Sequence, residues 1–493
     1  MSHTYQELIA LTEEIALLNS IEMLLSWDQE TLLPPGGASI RAKQLSTLSH
    51  LKHSLATSPV LKQTLSKLID FKTGEILEPS LSEKEQAAVR ELHVDFINQD
   101  CLPGEFVKRE SQLFSEAVHV WKDKNFDSFA PYLQKIFDSA REKAHLLGFS
   151  EHPYDALLNV HEPGMTTKKL RRIFDDLKPF LIELTKQKKA TPIDTSCLYG
   201  SFDENEQLLL SKEVLTLMGI DFNKARIDLS MHPFCSGIHP TDLRLTSHIN
   251  KNCFIQNLSA TMHEGGHGLY EQHLPEPLYG TPLAQACSCG IHESQSRFYE
   301  TLIGLSKPFN QLLFPSLQKH FPELAKTSFE TYFQAINEVS PSLIRIFADE
   351  VTYCLHIILR FELEVALIEG SLAVQDLPRT WNEKMESMLG IIPPTDAEGC
   401  LQDIHWSLGL IGYFPTYALG NIYAAELYEA LKKVHPDAEA KIQKGELSFL
   451  TTYLNEHIYQ WGRQYSPEVL MERCTGSPIS AEPYKHYLSQ KYL

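Results

Sequence analysis

The stretch TMHEGGHGLYE, residues 261–271, sets two histidines and a glutamate among three glycines. On a helix, positions four apart lie on one face about one turn apart. His263 and His267 can then each aim a ring nitrogen at one tetrahedral cation, with Glu264 beside the position left for water. Gly265, Gly266 and Gly268 oppose that helix, each costing about 1 kcal/mol against alanine in a helix interior. Glycines at such a cost imply that neighbouring backbone, above all a helix carrying the next ligand, has to come close. Metal binding can offset the loss, since structural zinc in peptides contributes roughly 10–16 kcal/mol. Local propensity and fold conflict here, where function is expected.

A third ligand has to come from another segment. GIHESQSRFYE (290–300) offers Glu293, 26 residues after His267, with Glu300 as the competing ligand. Between them LPEPLYGTPLA (274–284) carries Pro275, Pro277, Gly280 and Pro282, so it reads as loop, and the Glu293 helix returns antiparallel to the first. Upstream, RIDLSMHPF (226–234) and DLRLTSHI (242–249) alternate apolar and polar residues around Gly237 and Pro240, which predicts a small sheet of short strands.

Elsewhere the periodicity is helical. Leu8, Leu11, Ile15 and Leu18 form one face after a Ser2/Thr4 start, and Ser82 with Glu85 makes a capping-box pattern ahead of Val89, Leu92 and Phe96. Residues 340–368, SPSLIRIFADEVTYCLHIILRFELEVALI, read as one long, largely buried helix after Pro341. Lys168, Lys169, Arg171 and Arg172 read as a solvated helix face. No Gly/Ser tract, charge block or repeat marks a linker, so 1–493 reads as a single domain, with two helical lobes flanking a groove.

With 44 basic against 63 acidic residues the formal charge is −19, which argues against nucleic acid and anionic membrane as partners. A site for a carboxylate must therefore supply its own cation. The nine cysteines contain no C-x-x-C, the opening residues are acidic where a signal peptide needs basic ones, and no apolar run approaches the roughly 20 residues that span a bilayer. These features predict a cytoplasmic protein with reduced thiols.

The sequence resembles the carboxypeptidase Taq family, zinc-dependent metallocarboxypeptidases of mostly helical, neurolysin-like fold. The resemblance rests on His263-Glu264-x-x-His267 and on Asp228-x-x-x-His232-Pro233-Phe234, His292-Glu293-Ser294, Ile344-Arg345-x-x-Ala348-Asp349 and Gly399-x-x-Gln402-Asp403-x-His405-Trp406. SWDQETLLPPGGASIR (26–41) and YDALLNVHEPGMT (154–166) extend it toward the N-terminus. Leu229, Asn159 and His161 depart from the pattern, where an arginine, an acidic and an aromatic residue are expected; none is a metal ligand, so the departures bear on specificity.

The resemblance implies one divalent metal ion, zinc or alternatively cobalt, on His263, His267 and Glu293; a homodimer; and peptide substrates with a free C-terminus. Glu264 is then the general base, taking a proton from water and passing it to the leaving amine. His405 and Tyr417 (in GYFPTYALG) are placed beyond the metal as donors to the substrate carbonyl, and His232 lines the same cleft. Arg345 is the candidate anchor for the terminal carboxylate, because a guanidinium meets two oxygens at once, with Asp349 one helical turn on to orient it. The alternatives are an endo-acting zinc oligopeptidase of the same fold and a non-catalytic zinc protein. Retention of Glu264 argues against the latter, since a structural site needs no general base.

Overall fold

The structure is a computed structural model describing residues 2–189 and 193–493. It is mostly helical, as expected. The elements that shape the site are α1 (His3–Thr31), α2 (Ala38–Ala56), α3 (Glu83–Asp100), α4 (Glu204–Met218), α5 (Phe254–His273), α6 (Cys289–Arg297), α7 (Tyr353–Glu369) and α8 (Pro415–Val434).

The small sheet comprises β1 (Ala225–Leu229), β2 (Cys235–His239) and β3 (Asp242–Ser247), in the order β1-β3-β2. The central β3 runs parallel to β1 and antiparallel to β2. Its position just before α5 is as predicted, but the strand limits differ. The first apolar run stops at Leu229, and residues 235–239, read as a turn around Gly237, form β2. Gly237 serves that strand because a Cβ there would collide with the Glu271 carboxylate. Alternation cannot reveal a strand whose glycine is required by a side chain from a distant helix.

Two apolar cores are separate. Residues of α1, α3 and the helix Pro59–Ser66, including Leu8, Leu65, Val89 and Phe96, form a small core that also takes in Leu283. The capping box at Ser82/Glu85 starts α3 as expected. The larger core surrounds α5–α8, with Trp381 and Tyr423 fully buried. Contacts across the two include Trp27 of α1, whose ring lies under the guanidinium groups of Arg226 and Arg244 at 5.1 and 4.7 Å. They also include Arg463, bonded to Glu91 and Asp95 of α3. The basic group on the helix Thr167–Lys189 is a solvated face: Lys168, Lys169 and Arg171 pair with Glu151, Glu468 and Glu369.

The long helix expected over 340–368 begins only at Tyr353. Residues 345–347 form a single 3-10 turn, and the rest of 340–352 is irregular. Pro341 disfavours helical backbone at Ser340. The Arg345 N–H donates to Gln402 (2.9 Å), so a distant side chain replaces the helical acceptor. Asp349 takes the N–H groups of Val351 and Thr352 (both 3.0 Å) and the Thr352 hydroxyl (2.7 Å), the local competition by which Asp ends or starts a helix. Glu364, fully buried in α7, accepts from Tyr154 (2.7 Å), Trp406 (2.8 Å) and the Gly412 N–H (3.0 Å), tying three distant segments together.

Candidate metal centre and active site

His263, Glu264 and His267 lie on α5, and Glu293 lies on α6 packed against it. The three glycines have three different reasons. A Cβ on Gly266 would stand 2.7 Å from the Ser296 Cα and 2.8 Å from the Gln295 carbonyl carbon, so this glycine admits the α6 backbone. Gly265 instead faces Leu215 and Met218 of α4, and Gly268 faces Ile220 and the β3 residues Leu243 and Leu245. The expectation that all three admit the Glu293 helix therefore holds for Gly266 alone. On the far side of α6, Gly420 of α8 performs the same service: its Cβ would lie 2.8 Å from that of Glu293. Glu293 is thus clamped between two helices at close range.

One ligand atom from each of His263, His267 and Glu293 lies within 4.8 Å of the others. Glu293 Oε2 is 3.7 Å from His263 Nε2 and 3.5 Å from His267 Nε2. Both rings are held by the opposite nitrogen: Nδ1 of His263 meets Glu300 at 2.8 Å, and Nδ1 of His267 meets the His292 carbonyl at 3.1 Å. Each Nε2 is thereby directed to the common point, the arrangement that fixes tautomer and orientation in metal-ligating histidines. Glu293 Oε1 is buried with no hydrogen-bond partner among the described residues. These residues fit a divalent cation, and Glu300 is the support behind His263. Although burial opposes it, Arg297 and His263 hold the Glu300 carboxyl well below the ordinary carboxylate range.

Glu264 is 8 % exposed and lines a cleft of about 1040 Å³ together with His263, His267, Glu293, Tyr413 and Tyr417. Burial pushes its carboxyl up to about 7. The cleft adjoins a second cavity, under α1–α3, through shared residues Asp95, Gln99, Gln285 and Ala286.

The cleft wall opposite α5 carries Tyr417, whose hydroxyl meets His405 Nε2 at 3.1 Å. Burial lowers the His405 pKa to about 4 and raises that of Tyr417 well above 10, so the imidazole is neutral and the phenol protonated. His405 itself lies behind Tyr417, outside the lining.

Three further assignments change. Arg345 is only 6 % exposed and does not line the cleft. Its Nε and one terminal nitrogen donate to Asp403 (3.1 and 2.8 Å), the other donates to the Tyr353 hydroxyl (3.1 Å), and the guanidinium sits 4.9 Å from the Tyr417 ring centre. It supports the His405–Tyr417 wall and has no free fork for a terminal carboxylate. Asp349 does not orient it, because the chain between them forms no α-helix; Asp349 caps the approach to α7. His232 is exposed and outside the cleft, which the following Pro233 and Phe234 do line.

Residues that the sequence reading left unassigned complete the frame. Asp403 binds Arg345 and Arg360 together, and they hold its carboxyl far below the ordinary range although burial opposes them. It lies within the Gly399–Trp406 element, where nothing local in the sequence shows its partners. Glu162, from the 154–166 element, accepts from the Gly290 N–H and the Tyr423 hydroxyl, both at 2.9 Å, and so pins the start of α6.

The family profile described as carboxypeptidase Taq (M32) metallopeptidase matches residues 7–492. Thermostable carboxypeptidase 1 of Thermus thermophilus is 37% identical over 504 residues, covering 99% of this chain and 98% of that protein. Carboxypeptidase 1 of Bacillus subtilis is 36% identical, with 99% and 98% covered. Among solved structures, an M32 carboxypeptidase from Deinococcus radiodurans superposes with a TM-score of 0.96 at 36% identity, covering 100% of this chain and 99% of that one. The chain belongs to the carboxypeptidase Taq family of metallopeptidases. It is a metal-dependent carboxypeptidase, a peptide hydrolase, and the oligopeptidase alternative is not favoured because these relatives are named carboxypeptidases.

Proposed function

We propose that the chain, working as one catalytic unit over 1–493, removes C-terminal residues from peptides with Glu264 as general base. A divalent ion held by His263, His267 and Glu293 would supply Lewis acidity to the scissile carbonyl and to water. Glu264 removes the proton from the attacking water and returns it to the departing amine nitrogen. Tyr417 donates its hydroxyl to the carbonyl oxygen as charge develops there, while the Nε2–H tautomer of His405 donates to the phenol oxygen. Arg345 and Asp403 act behind this pair by holding the wall in position.

The observation that carries the reading is the buried Glu264 carboxyl, facing the cleft beside a three-ligand set that leaves a fourth place for water. Zinc is the ion we favour for the two imidazoles and one carboxylate, with cobalt as the alternative. A homodimer and a cytoplasmic location are further parts of the proposal, carried by the family resemblance and the thiol usage. No helix among the described residues is long and apolar enough to cross a membrane.

Mass spectrometry of a peptide digest tests the reaction: residues should leave stepwise from C-termini and cease leaving when a chelator is added. Glu264→Gln should keep its metal and lose at least about 100-fold in turnover, the scale of a positioned acid–base group. Activity within tenfold of wild type would remove Glu264 from the mechanism, and internal cleavage products would refute an exopeptidase.

A further inference from the structure

The metal-ligating side chains lie on α5 and α6, whereas Tyr417 acts from α8. A misplacement of about 1 Å between such parts can cost roughly 100-fold in rate, so they have to be held in register. Arg297, the last residue of α6 and one turn beyond Glu293, reaches both. It is buried, and its guanidinium is divided three ways. Toward the metal side, Nη1 donates at 2.7 Å to Oε2 of Glu300, the same oxygen that lies 2.8 Å from His263 Nδ1, while Ser259 holds Oε1 at 2.7 Å. Toward the wall, Nε donates to Asn421 Oδ1 at 2.9 Å, and Asn421 Nδ2 donates to the Tyr417 carbonyl at 3.0 Å. The guanidinium face lies 4.5 Å from the ring centre of Tyr353, and that ring stands edge-on to Tyr417 at 6.4 Å and 81°.

The chemistry of this link needs an arginine. Nη1 and Nε belong to one rigid plane, so Glu300 and Asn421 cannot move apart without breaking one of the two bonds; a lysine ammonium is a single point charge on a flexible stem. The local backbone serves the same end. Beyond Arg297 the chain widens into a π-helical turn, Phe298–Ile303, in which the Gly304 N–H reaches back five residues to the Tyr299 carbonyl at 2.9 Å. Such turns recur at functional sites because they re-aim side chains, and here Arg297 and Glu300 converge on one oxygen shared with His263. Burial works against the charge on Arg297, and Glu300, Tyr353 and Glu293 more than offset it, so the group stays fully charged. Asn421 is equally buried, so solvent does not compete for the bond between them. An ion pair with Glu300 alone would need no contact with α8; the Asn421 bridge to the Tyr417 backbone is what joins the two sides.

Building on the reading of Tyr417 as donor to the carbonyl oxygen, we propose that Arg297 is a positioning residue that holds the metal centre and the Tyr417 wall in register. The test uses the metal-loaded enzyme, one peptide with a free C-terminus and two variants, each made with Tyr417 and with Tyr417→Phe. Asn421→Leu cuts the link to the wall and leaves the Glu300 pair, so kcat should fall about 10- to 100-fold while metal affinity, read by chelator competition, stays within about threefold. Arg297→Lys keeps a charge beside Glu300 but cannot serve both partners, so kcat should fall by as much and metal affinity by about 10- to 100-fold. With Tyr417→Phe in place, neither change should lower kcat further, although Arg297→Lys should still weaken metal binding. Losses in kcat that multiply in the Tyr417→Phe background overturn the proposal, because a merely structural Arg297 would damage the enzyme whether or not the hydroxyl is present. So does wild-type kcat in Asn421→Leu, which decides the question even if Arg297→Lys does not fold. A Tyr417→Phe enzyme with wild-type kcat would instead refute the parent reading of Tyr417.

Discussion

Replacing Gly266 by alanine tests whether helix proximity holds the metal centre together. The added Cβ would lie 2.7 Å from Ser296 Cα and 2.8 Å from the Gln295 carbonyl carbon, whereas ordinary contact begins at 3.4 Å. These neighbours, and the Gln295 carbonyl oxygen nearest of all at 2.3 Å, are backbone, so no rotamer change relieves the clash and α6 has to retreat by about 1 Å. Metal–ligand distances tolerate about 0.2 Å, and Gly420 restricts Glu293 from the other side. Loss of an outer hydrogen-bond partner alone costs about 10–100-fold in metal affinity. Displacing Glu293, the proposed ligand, should therefore cost at least about 100-fold, despite the roughly 1 kcal/mol gained in helix propensity. Gly265→Ala is the control. Its Cβ meets Leu215 Cδ2 at 2.6 Å and Met218 Cε at 2.7 Å, the movable ends of side chains, so metal affinity should stay within threefold of wild type. The assay is metal retained per chain against a graded chromophoric chelator. Equal retention by Gly266→Ala and wild type would refute the argument.

Glu300→Gln should weaken metal affinity about 10–100-fold by loosening His263 Nδ1, and Glu293→Gln should weaken it further; the same chelator competition decides, and the reverse order would make Glu300 the ligand. Asp403→Asn leaves two buried guanidinium groups short of their counter-ion and should cost about 3–5 kcal/mol on denaturant unfolding, whereas Asp349→Asn should leave the Arg345 contacts intact. Burial pushes the Glu426 carboxyl up to about 8. Because the unfolded chain then binds fewer protons from about pH 4.5 upward, stability present at acid pH is lost as pH rises through about 8. Glu426→Gln should flatten the fall in melting temperature between pH 5 and 8.5, and a slope unchanged from wild type would reject the assignment.

The parts legible in the sequence were those fixed by short spacing. His263 and His267 meet because four residues make one helical turn, and the proline-rich loop after Leu274 forces the chain back so that Glu293 can join them. The helical class follows from the same periodicity. What was not legible depends on partners far along the chain. Arg345 and Asp349 have the spacing of a helical ion pair, but Gln402 takes the Arg345 N–H and Asp349 takes those of Val351 and Thr352, so the helix that would pair them never forms. Asp403 shows the same limit: it acquires its meaning only when the fold sets the Arg345 and Arg360 guanidinium groups beside it. The H-P-F element was informative about place but not about the side chain, since Pro233 and Phe234 reach the cleft and His232 does not.

The two separate cores bear on how the N-terminal helices are held to the body. Across the join between α1–α3 and the body, Trp27 is flanked by Arg226 and Arg244, and Arg463 is bound by Glu91 and Asp95. These contacts are electrostatic and partly wet, unlike the interiors on either side. The same join also carries apolar contact, since Trp27 is buried and Leu283, from the loop ahead of α6, packs into the N-terminal core. Ionic strength, with a screening length near 10 Å at 0.1 M, therefore weakens the charged part of this join and leaves its apolar part in place.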